Sequence, residues 1–571
     1  MKLFTKLTRK ENLMFFLVII IAVFFRFYSL SSVPPSPSLD EVSIGYNAYS
    51  ILKTGMDEYG NKYPTLLRAY DDWRPALYVY SVIPFIEIFG LNVYSVRLPS
   101  ILLSILTVIA TYFLVREILK YCLKKTNPDI QITSFVPLTA SFLLAVSPWH
   151  VYFSRLGHEM NGALSFFVFG LLFFTKYINL LEKESSKNNF YLLVSSVFFG
   201  ISFNFYQSTK LFIPVILAAM FVFFYKELFA RKRILALSLI VGLLVILPVL
   251  FASFSSNALI RFHGTNIYNS SADIFETNSK RILWDRQNMD LLGLFFDNRR
   301  MSFLLIPLNA YLSHFNLAWL FANSGKEFFK IPDFGLLLVL ELPLFALGLI
   351  FLLKSKNNYS KFTFFILSWI LIAPLPAAIT TGSPHAARMY NVLPAFQIIE
   401  AFGLYFLINR IIIIKNLSLK FFSLSGVFGI IIMSVLWFFH SYFVNFRKEL
   451  SYQFQYGSIQ ALSYAISNQN KYANILVSNR RNLLESYMFY LYTTKYDPIS
   501  YLKSGGTKSG GFDESHKIDK FEFDNPRLNS GKNGKTLYVI NPYELQTNEI
   551  NIIAVIKFMD GKDAVWLAES K

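Results

Sequence analysis

The chain has one cysteine, Cys122, in 571 residues. A lone thiol excludes an intramolecular disulfide and any metal centre built on paired cysteines. Charge is scarce too: 16% of the residues are Asp, Glu, Lys or Arg, where a soluble protein carries roughly a quarter. What charge there is leans one way, 54 Lys and Arg against 36 Asp and Glu, a net +18. No internal repeat is visible, which argues against the repeat-built transporter architectures. The N-terminal stretch after Lys10 lacks a convincing Ala-x-Ala cleavage site, so it is expected to stay as a first helix rather than leave as a signal peptide.

Apolar residues are abundant, at 54%. They gather in runs of roughly twenty, the length that crosses about 30 Å of hydrocarbon. Runs fall near 13–30, 97–117, 133–149, 162–181, 190–206, 210–225, 234–253, 334–353, 360–379, 389–408 and 420–440. The expectation is a polytopic α-helical membrane protein of about 11 transmembrane helices. A cytoplasmic N-terminus puts five basic connections inside: Arg116/Lys120/Lys124/Lys125, Lys183/Lys187, Lys226/Arg231/Lys232/Arg233, Lys354/Lys356/Lys361 and Arg410/Lys415/Lys420. The positive-inside rule is thereby met. The basic excess has a membrane explanation, and no nucleic-acid partner is expected. The expected location is the plasma or inner membrane, multi-pass, with the C-terminus extracytoplasmic.

Two long outer segments follow from this topology, 31–96 and 254–333. The apolar piece 77–90 is short for a span and is expected to lie as a helix at the interface. Residues 301–322 include Pro307, Asn309, Ser313, His314 and Asn316, and are expected to be re-entrant or surface-packed. Residues 1–444 form the membrane module. From 445 to 571 the composition turns soluble, predicting a small extracytoplasmic α/β domain. Helices are expected at 457–469 and 481–493, strands at 473–478, 537–540 and 550–558, and a hairpin turn at Asp560-Gly561. The Ser/Gly/Lys/Asn-rich stretch 504–535 is expected to be a long loop.

The unusual polar residues collect on the outer side: Asp40, Glu41, Asp57, Arg68, Asp71, Asp72, Arg74, Arg155, His158, Glu159, Lys210, His385 and Arg388. Carboxylates beside cations suit transfer of a sugar from a lipid-linked phosphate. A base takes the acceptor's proton, and cations stabilise the departing phosphate. Each residue also has a plainer reading. Asp40-Glu41 can cap a helix, Arg74 before Pro75 can snorkel, and Arg155/Glu159 at i, i+4 can be a structural ion pair. Lys210 can anchor the interface, and His385 and Arg388 can satisfy carbonyls at a turn. His158 and His314 are expected to be structural.

The order of motifs adds a family resemblance. The chain resembles the bacterial protein O-mannosyltransferase-like membrane glycosyltransferases of the GT-C class, the glycosyltransferase family 39 type. The residues that carry it are Arg26-Phe27-Tyr28-Ser29-Leu30, Asp40-Glu41, the run Gly45 to Gly55, Asp57-Glu58-Tyr59-Gly60, Trp73-Arg74-Pro75, Phe89-Gly90 and Val96-Arg97-Leu98-Pro99-Ser100. Ser147-Pro148-Trp149-His150, Ser154-Arg155, Glu159, Tyr311 to Phe315, Leu320-Phe321, His385, Arg388 and Pro394 extend it. The first 160 or so residues are its most specific part.

The resemblance implies that Asp40 is the catalytic base, with Glu159 a second outer-loop acid and Glu41 beside them. It implies that Arg74 stands where a basic residue before Pro contacts the lipid phosphate in the related aminoarabinose transferases. Lys210 resembles a further basic residue, Arg388 and Arg155 are additional phosphate candidates, and His385 and Tyr206 complete the expected pocket. Two departures stand out, Glu for the commoner Asp at 159 and Arg for Lys at 74, which keeps charge and changes geometry. The expected activity is inverting transfer of a sugar from a polyprenyl-phosphate donor, a membrane lipid, to a hydroxyl on protein, lipid or cell-wall glycan. The alternatives are a transporter or flippase of a lipid-linked glycan, and a polymerase or ligase of surface polysaccharide. No cofactor is firmly expected; Asp71-Asp72 or the Asp40/Glu159 pair could hold Mg or Mn through oxygen ligands.

Overall fold

Helices dominate the computed structural model, as the apolar runs require. It describes residues 8–570 apart from 71, 125–129, 182–185, 256–263, 326, 327, 329, 509, 510, 512, 513, 528–533 and 547. Among the described residues eight helices are long and apolar enough to cross a membrane, or nine if the bent pair Ile132–Val146 and Pro148–Ser154 is one span. The shortfall from eleven has particular causes. Helix α1 (Arg9–Phe27) carries Arg9, Lys10, Glu11 and Arg26 at its ends. The helix Glu341–Lys354 has 14 residues, and Asn189–Phe205 is also short. Such lengths fall below the ~20 residues of a full span unless the bilayer thins locally. Conversely, Arg299–Phe321 meets the length and composition of a span, although it was expected to be re-entrant. It is broken after Ser313, and Asn316 caps the second piece by accepting the Ala318 N–H at 2.9 Å.

The chain divides into two compact units. The first comprises Met1–Phe25, Leu103–Phe153 and Met160–Val435. It is helical, and its tightest crossing presses Glu341–Lys354 against Ala395–Ile412. There a Cβ on Gly348 or Gly403 would lie 1.9 Å from the other helix's backbone oxygen.

The second unit comprises Arg26–Leu102, Ser154–Glu159 and Leu436–Lys571. Residues 31–96 thus share a unit with the C-terminal residues. Helix α2 (Leu39–Thr54) starts at a reciprocal cap: Ser38 Oγ accepts the Glu41 N–H at 3.3 Å, and Glu41 Oε2 accepts the Ser38 N–H at 2.9 Å. Two acids in its first turn complement the helix dipole. Strands β1 (Leu66–Ala69) and β2 (Asp72–Pro75) form an antiparallel hairpin, followed by α3 (Leu77–Phe89) and the long α4 (Val93–Cys122). The expected interfacial segment is therefore a 13-residue helix.

The C-terminal part holds a six-stranded sheet. Its strands are β3 (Asn474–Val477), β4 (His516–Ile518), β5 (Phe521–Phe523), β6 (Thr536–Ile540), β7 (Ile550–Lys557) and β8 (Asp563–Ser570), in the order β4-β5-β3-β6-β8-β7. Strand β3 runs parallel to both its neighbours. Leu476, Tyr538, Ile540 and Trp566 form part of its core. The Asp560-Gly561 turn joins β7 to β8, with Gly561 at φ 90°. The stretch 504–535, expected to be loop, contains β4 and β5. Asp519-Lys520 turns that hairpin, and Phe521 and Phe523 alternate with Glu522 to face the core. The helix expected at 481–493 begins later, at Ser486, because Glu485 takes φ 53°.

Candidate active site

Helix α2 sends its two first-turn carboxylates in different directions, since consecutive helical residues are about 100° apart. Asp40 faces a half-open space and its side chain is 39% exposed. Glu41 turns inward and is 1% exposed.

Arg74 arrives on β2, opposite Leu67 of β1. The Tyr70 hydroxyl donates to the Leu39 carbonyl at 2.9 Å and ties the hairpin end to the start of α2. Arg74 Nη2 then lies 3.2 Å from Asp40 Oδ1, and Nη1 lies 4.0 Å from Glu159 Oε1. His158 closes the circuit: its Nε2 is 3.8 Å from Asp40 Oδ2, and its Nδ1 contacts Glu159 Oε2. Asp40, Arg74, Glu159 and His158 form a ring of alternating charge. Arg74 and Glu159 are buried in it.

The electrostatics follow from that ring. Burial raises the Glu159 carboxyl, but His158 and then Arg74 outweigh it and bring it down to about 2. Burial opposes charge on His158, yet Glu159 and Asp40 hold the imidazole above its ordinary value. Burial likewise disfavours a charged Arg74, and Asp40 and Glu159 reverse this. The ring thus favours the charged forms of Glu159, Arg74 and His158. Asp40 is the exposed one, the carboxylate an incoming hydroxyl can reach.

Glu41 belongs to a different arrangement. Its Oε1 accepts from Arg97 Nε at 2.7 Å and from the Gly157 N–H at 2.9 Å, and its Oε2 accepts from Arg97 Nη2 at 3.0 Å. Burial would raise this carboxyl; the Arg97 charge and hydrogen bonds, then the Ser38 and Gly157 N–H groups, lower it. Arg97 also donates to the carbonyls of Leu30 and Ser36 at 2.7 and 3.2 Å. Gly157 is needed because a Cβ there would meet Val96 Cγ1 at 2.5 Å. Glu41 was expected among the catalytic acids. Its saturated, buried carboxylate instead fixes the start of α2.

Arg155 corrects in the same way. As a phosphate candidate it should present its guanidinium, but Nη1 and Nη2 donate to the carbonyls of Arg26 and Val33 at 2.8 and 2.5 Å, and Phe443 packs 4.9 Å away. Asp57 is committed to a turn, accepting the Tyr59 and Asn61 N–H groups. Asp72 accepts the Trp73 N–H, and Asp71 lies outside the described residues.

Lys210, Tyr206, His385 and Arg388 belong to the first unit. Lys210 Nζ donates to Ser253 Oγ at 2.7 Å. One turn further, Ile213 and Pro214 help line an apolar cavity of about 390 Å³, with Phe174, Phe199, Phe203 and Met220. Tyr206 is buried and its carbonyl accepts from Thr209. Arg388 Nη1 donates to Thr380 Oγ1 at 2.6 Å and to the Thr381 carbonyl at 2.5 Å. The His385 N–H donates to His314 Nε2 at 3.1 Å. Burial, reinforced by Arg388, Lys330 and His314, pulls His385 down to about 3 and keeps it neutral. Lys330, 1% exposed and donating to the Ser324 carbonyl at 2.8 Å, is a buried cation that sequence reading overlooked.

Sequence reading also set His158 aside as structural and gave Arg97 no role. The available signals were the adjacency of His158 to Glu159, and an arginine within a membrane-length run, which demands a partner. Among the described residues no group of three or more His, Cys, Asp and Glu side chains could hold a metal ion. Between Asp40 and Glu159 the positive charge comes from Arg74 and His158. That donor set does not fit a divalent ion.

Residues 74–251 match the family described as Dolichyl-phosphate-mannose-protein mannosyltransferase. No curated protein matches the chain in sequence. Among solved structures, ArnT from Cupriavidus metallidurans bound to undecaprenyl phosphate is 11% identical, with a TM-score of 0.52 over 97% of this chain and 97% of that one. The archaeal oligosaccharyltransferase AglB from Archaeoglobus fulgidus, in complex with an inhibitory peptide and a dolichol-phosphate, is 11% identical, with a TM-score of 0.50 over 85% of this chain. The present chain spans 64% of the length of AglB. These likenesses fix the fold, that of the GT-C membrane glycosyltransferases.

Proposed function

We propose that this GT-C-fold membrane protein is an inverting glycosyltransferase, moving a sugar from a polyprenyl-phosphate donor to an acceptor hydroxyl. The observation that carries the reading is the ring Asp40–Arg74–Glu159–His158, in which one carboxylate is 39% exposed while Arg74 and Glu159 are buried. The acceptor O–H gives its proton to Asp40. The acceptor oxygen bonds to the anomeric carbon from the face opposite phosphate, and the C–O bond to phosphate breaks with its electron pair going to the phosphate oxygen. Arg74 is the cation beside Asp40 that stabilises developing negative charge. Glu159 holds Arg74, His158 orients Asp40, and Glu41 and Arg155 serve as positioning residues. No step is assigned to a metal.

Lys210 and Arg388 are proposed to bind the donor phosphate. The apolar cavity that begins one turn from Lys210 suits a polyprenyl tail. The basic connections support a cytoplasmic N-terminus and an outward-facing site in the plasma or inner membrane.

The test uses the purified full chain in detergent with a labelled polyprenyl-phosphate sugar and a panel of hydroxyl acceptors: peptide, glycolipid and cell-wall glycan. Wild type should release polyprenyl phosphate and give a glycosylated acceptor of inverted anomeric configuration; Asp40→Asn should not. A donor that stays intact with every acceptor while crossing reconstituted vesicles would make the protein a flippase instead.

A further inference from the structure

The helices Glu341–Lys354 and Ala395–Ile412 bury a group of polar atoms that the proposed reaction does not use. Gly348 and Gly403 set their register. A Cβ on Gly348 would lie 1.9 Å from the Ile399 oxygen, and one on Gly403 would lie 1.9 Å from the Leu344 oxygen. Each glycine therefore seats against the turn preceding the other, as in a parallel crossing. Ring contacts extend this alignment: Phe345 lies 5.3 Å from Phe396, and Phe351 lies 6.0 Å from Phe406. Counting back from the crossing, Glu341 stands level with Phe396 and Gln397, and Glu400 lies one turn deeper.

Glu341, Gln397 and Glu400 are all 0% exposed. Glu341 Oε2 accepts the Leu338 N–H at 2.7 Å. Its Oε1, both oxygens of Glu400 and both amide atoms of Gln397 meet no hydrogen-bond partner among the described residues. The two carboxyls also act on one another electrostatically. Buried polar atoms in folded proteins are almost always satisfied, and ionisable groups inside a membrane are costly unless paired. Four oxygens of the group are unmet against one amide donor, so it is short of donors or of a cation. Gln397, uncharged and buried with its amide unsatisfied, sets this apart from a mere acidic pair.

We propose that Glu341, Gln397 and Glu400 form a buried site for a hard, oxygen-preferring cation, ligated by carboxylate and amide oxygens. Such an ion locks the register of the two helices. It also steadies the start of Ala395–Ile412, the helix that follows the loop bearing His385 and Arg388.

The test needs no activity. The full chain, purified in detergent and exchanged into choline chloride after chelation, is heated in Na⁺, K⁺, Mg²⁺ or Ca²⁺ at matched ionic strength and its unfolding midpoint recorded. One of these ions should raise the midpoint by several degrees over choline, and Glu400→Gln should erase that rise. Equal midpoints in all salts overturn the proposal, as does an ion effect that survives the substitution. A midpoint that responds to pH alone, with no ion effect, marks a neutral carboxyl pair and overturns it too. Should Glu400→Gln fail to fold, Glu341→Gln replaces it. Equilibrium uptake by the wild type of a radioisotope of the ion that raised the midpoint then decides, with saturable binding near one ion per chain expected and no binding overturning the site.

Discussion

Asp40 and Glu41 follow one another on α2. Asp40 is 39% exposed and touches Arg74 and His158 at 3.2 and 3.8 Å, whereas Glu41 is 1% exposed with both oxygens held by Arg97 and by backbone N–H groups. The same chemical group thus has two fates within one helical turn. A carboxylate whose lone pairs are saturated in a dry setting contributes rigidity, because removing either partner strands a buried charge. A carboxylate with an open face between cations keeps a lone pair for a substrate proton. Whether a carboxylate is catalytic is decided by which lone pairs its neighbours leave free.

The comparison can be broken by substitution, and the largest effect is expected at the open carboxylate. Asp40→Asn should lower the transfer rate by roughly 10²–10⁴-fold, the usual worth of a general base, with the thermal unfolding midpoint unchanged. A variant at full rate would remove Asp40 from the chemistry. The closed carboxylate should answer in the other observable. Arg97→Met, which leaves Glu41 buried and unpaired, should cost about 3–5 kcal/mol of stability in denaturant unfolding. The double change Arg97→Met with Glu41→Gln should recover part of that loss. If Arg97→Met instead folds normally and only slows turnover, the division between the two acids fails.

Arg74→Lys sharpens the contrast from the cation side. It keeps the charge and loses the fork that spans Asp40 and Glu159, so kcat should fall about tenfold, ~1.4 kcal/mol of transition-state stabilisation. Arg74→Ala should fall further, by roughly 10²–10³-fold.

The smallest effect concerns pH. Glu159 is depressed to about 2 from 4.5, so its contribution to stability is complete above about pH 4.5 and fades as pH falls toward 2. His158 is raised from 6.5, so its contribution is complete below about pH 6.5 and is lost as pH rises through its folded value. The stability difference between wild type and His158→Gln should therefore peak between these limits, at on the order of 1–2 kcal/mol. A difference that stays flat from pH 3 to 8 would show that the imidazole carries no charge in the ring.

Much of the fold was legible. Hydrophobic runs of membrane length predicted helices at almost every position where the structure has them, since burying a helix in lipid leaves a local, additive signal. The short helix Glu341–Lys354 and the broken Arg299–Phe321 were misjudged because composition gives length without showing where a helix starts or bends. In the C-terminal part the β4–β5 hairpin hid inside a polar stretch. Its strands have three residues each, too short for alternation to stand out. For the site, Asp40, Arg74 and Glu159 were found as charged residues near span ends. His158 was set aside because a single histidine has no pattern, and Lys330 because its burial depends on distant residues.

The sequence by itself determined that the chain lies in a membrane, where its helices fall and which charged residues need explaining. These are consequences of local composition, because the cost of exposing polar backbone or charge to lipid is incurred segment by segment. Only the tertiary structure decided how those charges pair. Ser154–Glu159 falls in one compact unit with α2 and the β1–β2 hairpin, and that meeting joins Asp40 to His158 and Arg74 to Glu159 while leaving Glu41 to Arg97. Pairing between residues so far apart in the chain is a property of packing, which no local pattern encodes.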